Sequence, residues 1–257
     1  MDYSAEFSAV AGRADSPTRN FHLYLLLTAM GVLIWSGIVP HDRVVWLLEV
    51  LPSLIGGTVL LATYKRFRLT NLVYFLIWCH SMILAVGGHW TYADNPIFDG
   101  IQDAFNLQRN YYDRLGHIAQ GFVPAMIARE LLLRTSPLKR SKWLAFIVAC
   151  ICLAISAGYE FFEWWTAVAT GEGEAAIQFL ATQGDQWDTQ WDMLLCLCGA
   201  IAAMLTLSRA HDRSLAGEGM SPGKRLTLLA IALALVLGAI ATCLWLGAKS
   251  ATLLSGQ

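Results

Sequence analysis

Asp113 and His117 lie one helical turn apart, Glu160 and Glu163 three residues apart, and Asp185, Asp188 and Asp192 follow at spacings of three and four. Carboxylates with one imidazole can hold a divalent cation or pass a proton. Each group falls inside or at the edge of a stretch otherwise apolar enough to span a bilayer, where ionisable side chains are costly and by default mark function. Carboxylates brought close together cannot all stay ionised without compensation. A bound ion would compensate, and without a thiolate cluster the donors suit Mg²⁺, Mn²⁺, Ca²⁺ or non-haem iron. Such an ion polarises a phosphoryl or acyl oxygen and activates water, with a spare carboxylate or His117 as general base. Protonation is the other remedy, and a proton-coupled carrier exploits it.

Asp113, His117, Glu160, Glu163 and Asp192 are therefore the candidate acid/base groups, and the same five with Asp188 are the candidate metal ligands. Arg109 and Arg114, beside them, are candidates for holding an anionic lipid headgroup. Plainer readings stand beside these. Asp113 and Asp185 suit helix N-termini, His117 can simply bond Asp113, and the arginines can snorkel to ordinary phospholipid. Glu160 and Glu163 sit toward a helix C-terminus, where negative charge opposes the dipole, so structure explains them least. Trp164, Trp165, Trp187 and Trp191 read as an interfacial aromatic belt. No serine or cysteine nucleophile with a paired base stands out.

The elements that carry these groups follow from composition. The 257 residues are 56% hydrophobic and 14% charged, with a mean hydropathy of +0.49, which is the profile of a membrane protein. A net charge of −1 argues against nucleic acid as a partner. Seven stretches are long enough to cross a bilayer as helices, at 21–39, 44–63, 69–88, 111–133, 143–165, 188–208 and 226–248. Lipid offers no partner for an open backbone and no alternating strand pattern appears, so the expected fold is an all-α polytopic transmembrane bundle. Its organisation reads as a cytoplasmic tail over 1–20, a six-helix membrane core over 21–208, and a linker with an additional helix over 209–257. The N-terminal residues lack the pattern of a cleaved secretory signal.

Cations set the orientation. Lys65, Arg66 and Arg68, then Arg134, Lys139, Arg140 and Lys142, then Arg209, Arg213, Lys224 and Arg225 follow the second, fourth and sixth stretches, which places those loops and the N-terminus in the cytoplasm. Seven spans then put the C-terminus in the periplasm. The acids of the fourth, fifth and sixth helices consequently fall at one depth, toward the outside. The long acidic loops at 88–110 and 166–187 can cap them as lids or be plain solvated loops. His80, His89 and Glu49 are further groups able to join. Glu130 lies among arginines and reads as paired. The six cysteines fall in apolar runs, and residues two apart, as in Cys150-x-Cys152 and Cys196-x-Cys198, do not face each other on a helix.

The run from Asp113 to Phe122, the block Tyr159-Glu160-Phe161-Phe162-Glu163-Trp164-Trp165 and the segment Thr182 to Met193 resemble the YjdF-type family of bacterial inner-membrane proteins, over about residues 20–208. That resemblance implies a multi-pass inner-membrane location and no established activity. More distantly, an aspartate one turn before a histidine, then a glutamate helix, then paired aspartates is similar to VanZ-like membrane proteins, with the differences that their arginine-aspartate pair is not found here and that Glu163 adds a second glutamate. The leading expectation is divalent-metal-dependent hydrolysis of a lipid or lipid-linked envelope substrate. The alternatives are a proton-coupled transporter and a non-catalytic membrane scaffold.

Overall fold

The computed structural model describes residues 16–170 and 179–217. Among these residues the chain forms seven helices and no strand: α1 Ser16–Ser36, α2 Arg43–Thr63, α3 Asn71–Trp90, α4 Pro96–Phe105, α5 Tyr112–Thr135, α6 Lys142–Thr170 and α7 Asp188–Leu215. The expected helical membrane bundle is what these helices build. Four of them, α2, α3, α6 and α7, are long and apolar enough to cross a membrane. α1 and α5 occupy the first and fourth predicted spans. The first helix begins at Ser16, a turn or more inside the predicted tail. The seventh predicted span, 226–248, and Cys243 lie outside the described residues.

Local chemistry sets several starts. The Asp42 carboxylate accepts hydrogen bonds from the Val44 and Val45 amides at 2.7 and 2.9 Å and opens α2. The loop between the third and fourth predicted spans holds α4, capped by Asn95 with Pro96 in its first turn.

α5 carries five charged residues, Asp113, Arg114, Arg129, Glu130 and Arg134. It is nonetheless the inner helix of the bundle, and most of its length is buried. Its charges are tolerable in a membrane because they face protein rather than lipid. The closest of those faces belongs to α7, which runs parallel to it. Arg114 lies against Asp192, Ile118 against Gly199, Gly121 against Cys196 and Ala200, and Arg129 against His211. A Cβ added at Gly121 would lie 1.8 Å from the Cys196 carbonyl oxygen, and one at Gly199 2.2 Å from that of Ile118. Ala125, Ala200 and Ala203, fully buried, extend this seam of small residues. α6 returns antiparallel, with Glu160 at the level of His117 and Cys152 at the level of Gly121. Val73 and Leu76 of α3, Phe122 and Met126 of α5, Leu144 and Val148 of α6 and Leu207 of α7 fill the dry middle.

Charges also bolt the pair at the far end. Arg129 donates to His211 Nδ1 at 2.7 Å. Arginine cannot accept, so His211 carries its proton on Nε2 and donates it to Glu130 Oε2 at 3.0 Å. Glu130 also accepts from Arg134 at 2.7 Å and from the Thr70 hydroxyl at 2.8 Å, which ties the start of α3 to the pair. The expected pairing of Glu130 is thus present, with a histidine added. Cys152 and Cys196 are buried while Cys150 and Cys198 are exposed, so neither Cys-x-Cys pair shares a face.

Candidate functional site

At the opposite end of the α5–α7 seam the predicted acids converge. Asp113 and His117 stack on α5, with Asp113 Oδ1 3.3 Å from His117 Nε2. The same ring nitrogen is 3.7 Å from Asp192 Oδ1 on α7. One ligand atom each from Asp113, His117 and Asp192 lies within 4.8 Å of the others, and all three residues are buried. From α6, Glu160 Oε1 approaches His117 Nδ1 to 3.9 Å and accepts no hydrogen bond. Asp113 Oδ2 also accepts none. The Gln120 side-chain oxygen lies 3.2 Å from His117 Nδ1 and orients the ring.

Arg109 and Arg114, considered above as headgroup ligands, are buried counter-ions. Arg114 donates to Asp192 Oδ1, to Asp188 Oδ1 at 2.7 Å and to Asp185 Oδ2 at 3.1 Å. Arg109 donates to Asp188 Oδ1 at 2.6 Å and to the Ala181 carbonyl at 2.9 Å, and its guanidinium lies 3.5 Å from Asp113 Oδ2. Asp188 is thus held by two guanidiniums and Asp192 by one, a form of compensation that spacing alone does not reveal. Asp185 is the partly exposed member at the rim.

The flanking loops are tied together and to this network. Asn110, next to Arg109, donates through Nδ2 to the Asn95 carbonyl at 3.0 Å and to Asp99 at 2.7 Å. Its backbone amide donates to the Gln183 side-chain oxygen, and the Gln183 amide donates back to the Asn110 carbonyl, both at 2.9 Å. The described parts of the two acidic loops are therefore hydrogen-bonded to each other, although much of residues 96–108 is exposed. Nothing in the sequence pattern marks Asn110 and Gln183, since their pairing joins positions far apart in the chain.

Glu49, buried on α2, joins the group, with Tyr92, Asp113 and His117 as its electrostatic neighbours. Glu163 is buried beside Glu160, and His80 is close enough to His117 to sense its charge. His89 stays apart, facing the Ser36 carbonyl at 2.9 Å and stacking on Trp35. Trp164, Trp165 and Trp187 are exposed, as an interfacial belt requires. Seven carboxylates, Glu49, Asp113, Glu160, Glu163, Asp185, Asp188 and Asp192, then share one end of the bundle with two guanidiniums and His117. Two guanidiniums would offset only part of the charge of seven ionised carboxylates.

Known proteins are similar to this chain over most of its length. The family described as "Predicted membrane protein (DUF2238)" matches residues 21–213, a span that runs from α1 into α7 and contains every residue of the site. The inner membrane protein YjdF of Escherichia coli (strain K12) is 49% identical over 197 residues, which covers 77% of this chain and 93% of that relative. No solved structure matches the chain. With the apolar helices, these likenesses make it a membrane protein, and the chain belongs to the DUF2238 family.

Proposed function

We propose that this membrane protein binds one divalent cation through Asp113, His117 and Asp192 and uses it to hydrolyse a lipid or lipid-linked envelope substrate. The observation that carries the reading is the convergence of three buried donor atoms within 4.8 Å of one another. The donor set fits: an imidazole and two carboxylates, of which Asp113 keeps a buried oxygen, Oδ2, that accepts no hydrogen bond, suit Mg²⁺, Mn²⁺, Ca²⁺ or iron. The excess of carboxylates over guanidiniums around them calls for a cation or for protons, and the metal reading takes the first. A bound cation supplies Lewis acidity toward a phosphoryl or acyl oxygen and toward water.

The chain's own groups divide the remaining work. With Nδ1 directed at Gln120, His117 would present Nε2 to a cation held between Asp113 and Asp192, giving up its Nε2 proton as the cation binds. Glu160, with an oxygen free of hydrogen bonds, is placed to take a proton from water. Arg109 and Arg114 hold Asp188 and Asp192 in position. Their headgroup role needs an ion pair to open, and Arg114 with Asp185, at the rim, is the pair a substrate anion meets first. The cation-rich loops belong to the other end of the bundle, so the site faces the periplasm and the N-terminus the cytoplasm.

A proton-coupled carrier is the second reading. One observation favours it: Glu49 and His80 extend the ionisable groups onto α2 and α3, and a buried Glu130–His211 pair occupies the opposite half.

Elemental analysis of purified protein decides between them. The metal reading expects about one divalent cation per chain, lost in Asp113→Asn and in Asp192→Asn while both elute as the wild type does. A folded wild-type protein without metal, whose variants lose pH-dependent flux in liposomes, overturns it in favour of the carrier.

A further inference from the structure

α4 has three sides with different neighbours. Its protein side carries Phe98, edge-on to Tyr112 with ring centroids 5.2 Å apart, and Asp99, held by Asn110. Ile97, Ile101, Ala104 and Phe105 fall within an arc of about 100° at helical spacing. All four are exposed, Ile97 at 64% and Phe105 at 72%. Asp103 points away from this edge and is exposed. A short helix with an apolar edge, a charged edge and a docked side is built for a boundary between water and hydrocarbon.

Two observations place that boundary here. α4 follows Trp90, the last residue of α3, and precedes Tyr112, the first of α5, so it lies at the level where two long helices end. Exposed Trp164, Trp165 and Trp187, flanking the acids of α6 and α7, ring the same end of the bundle, and tryptophan belts mark the membrane interface.

We propose that α4 lies in the membrane interface with Ile97, Ile101 and Phe105 among the phospholipid acyl chains, so that a lipid-facing helix holds Asn110 and the neighbouring Arg109 in place. The occupant of the apolar edge is phospholipid, continuous with the lipid around the tryptophan ring. This does not rest on metal binding or on hydrolysis, and chelation leaves the outcome below unchanged.

The test is a photoreactive benzoylphenylalanine placed singly at Ile101, at Phe105 and, as the water-side control, at Asp103. The full chain is reconstituted in phosphatidylethanolamine–phosphatidylglycerol vesicles, irradiated and weighed intact. The expected result is an added mass of one phospholipid at positions 101 and 105, at least several-fold more abundant than at 103. Equal labelling at 103, a crosslink to a second copy or within the chain, or no lipid adduct at 101 and 105 in protein that elutes as the wild type does, overturns the proposal. All three positions are exposed, and if one substitution prevents folding, Ile97 is a fourth.

Discussion

Gly121→Ala tests the claim that the α5–α7 seam sets the geometry of the site. The added Cβ would lie 1.8 Å from the Cys196 carbonyl oxygen, 2.6 Å from its carbon and 2.9 Å from the Ala200 nitrogen. All three are backbone atoms of α7, so no side chain can swing aside. An ordinary contact of about 3.4 Å needs the helices to part by roughly 1.5 Å. The Arg109 and Arg114 bonds to Asp188, at 2.6 and 2.7 Å, would then stretch to about 4 Å, beyond hydrogen-bond range. Overpacking of this kind costs about 1–3 kcal/mol, and a weakened hydrogen bond to a charged group about as much again. The expected loss is about 3–5 kcal/mol, read as a fall in melting temperature on the order of 10 °C in detergent. Gly158→Ala is the control, because a Cβ there meets nothing within 4 Å and alanine favours an exposed helix. Gly121→Ala melting within a degree or two of the wild type would refute the reasoning, since the seam would then have slack.

Three further outcomes follow from named contacts. Arg114→Lys keeps the charge but cannot reach Asp185, Asp188 and Asp192 together, so it should lower the melting temperature nearly as far as Arg114→Gln does, whereas equivalence to wild type would reduce the network to a point charge. Asn110→Asp replaces a donor facing the Asn95 carbonyl and Asp99 with an acceptor, and should raise amide hydrogen exchange across α4 and residues 107–111 by tenfold or more, leaving α2 unchanged. Arg129→Ala leaves the buried His211 ring nitrogen without its donor and Asp212 with Arg140 alone, and should destabilise by about 2–3 kcal/mol in denaturant titration, a loss that His211→Gln only partly reproduces.

The long helices were legible because hydropathy reports on lipid directly. The convergence of Asp113, His117, Glu160 and Asp192 was legible because helical spacing fixes a face and loop cations fix a depth. The state of Arg109 and Arg114 was not: snorkelling and inward pairing differ only by rotation about the helix axis, which a single chain does not encode locally. α4 hid inside a stretch read as loop although Asn95-Pro96 carries a helix-start signal, because a ten-residue amphipathic helix falls short of any spanning window. The His211–Glu130 bond joins residues 81 positions apart. Glu130 could be read as paired from Arg134 one turn along, but the histidine's part required the helices to be docked.

The parallel course of α5 and α7 bears on how the chain enters the membrane. Parallel neighbours need an intervening segment, so α7 reaches its place only after α6 has crossed. Until then Arg114 lacks Asp185, Asp188 and Asp192, and Arg129 lacks His211 and Asp212, and a helix so charged partitions poorly into lipid alone. The burial of α5 is therefore completed only when α7 arrives beside it.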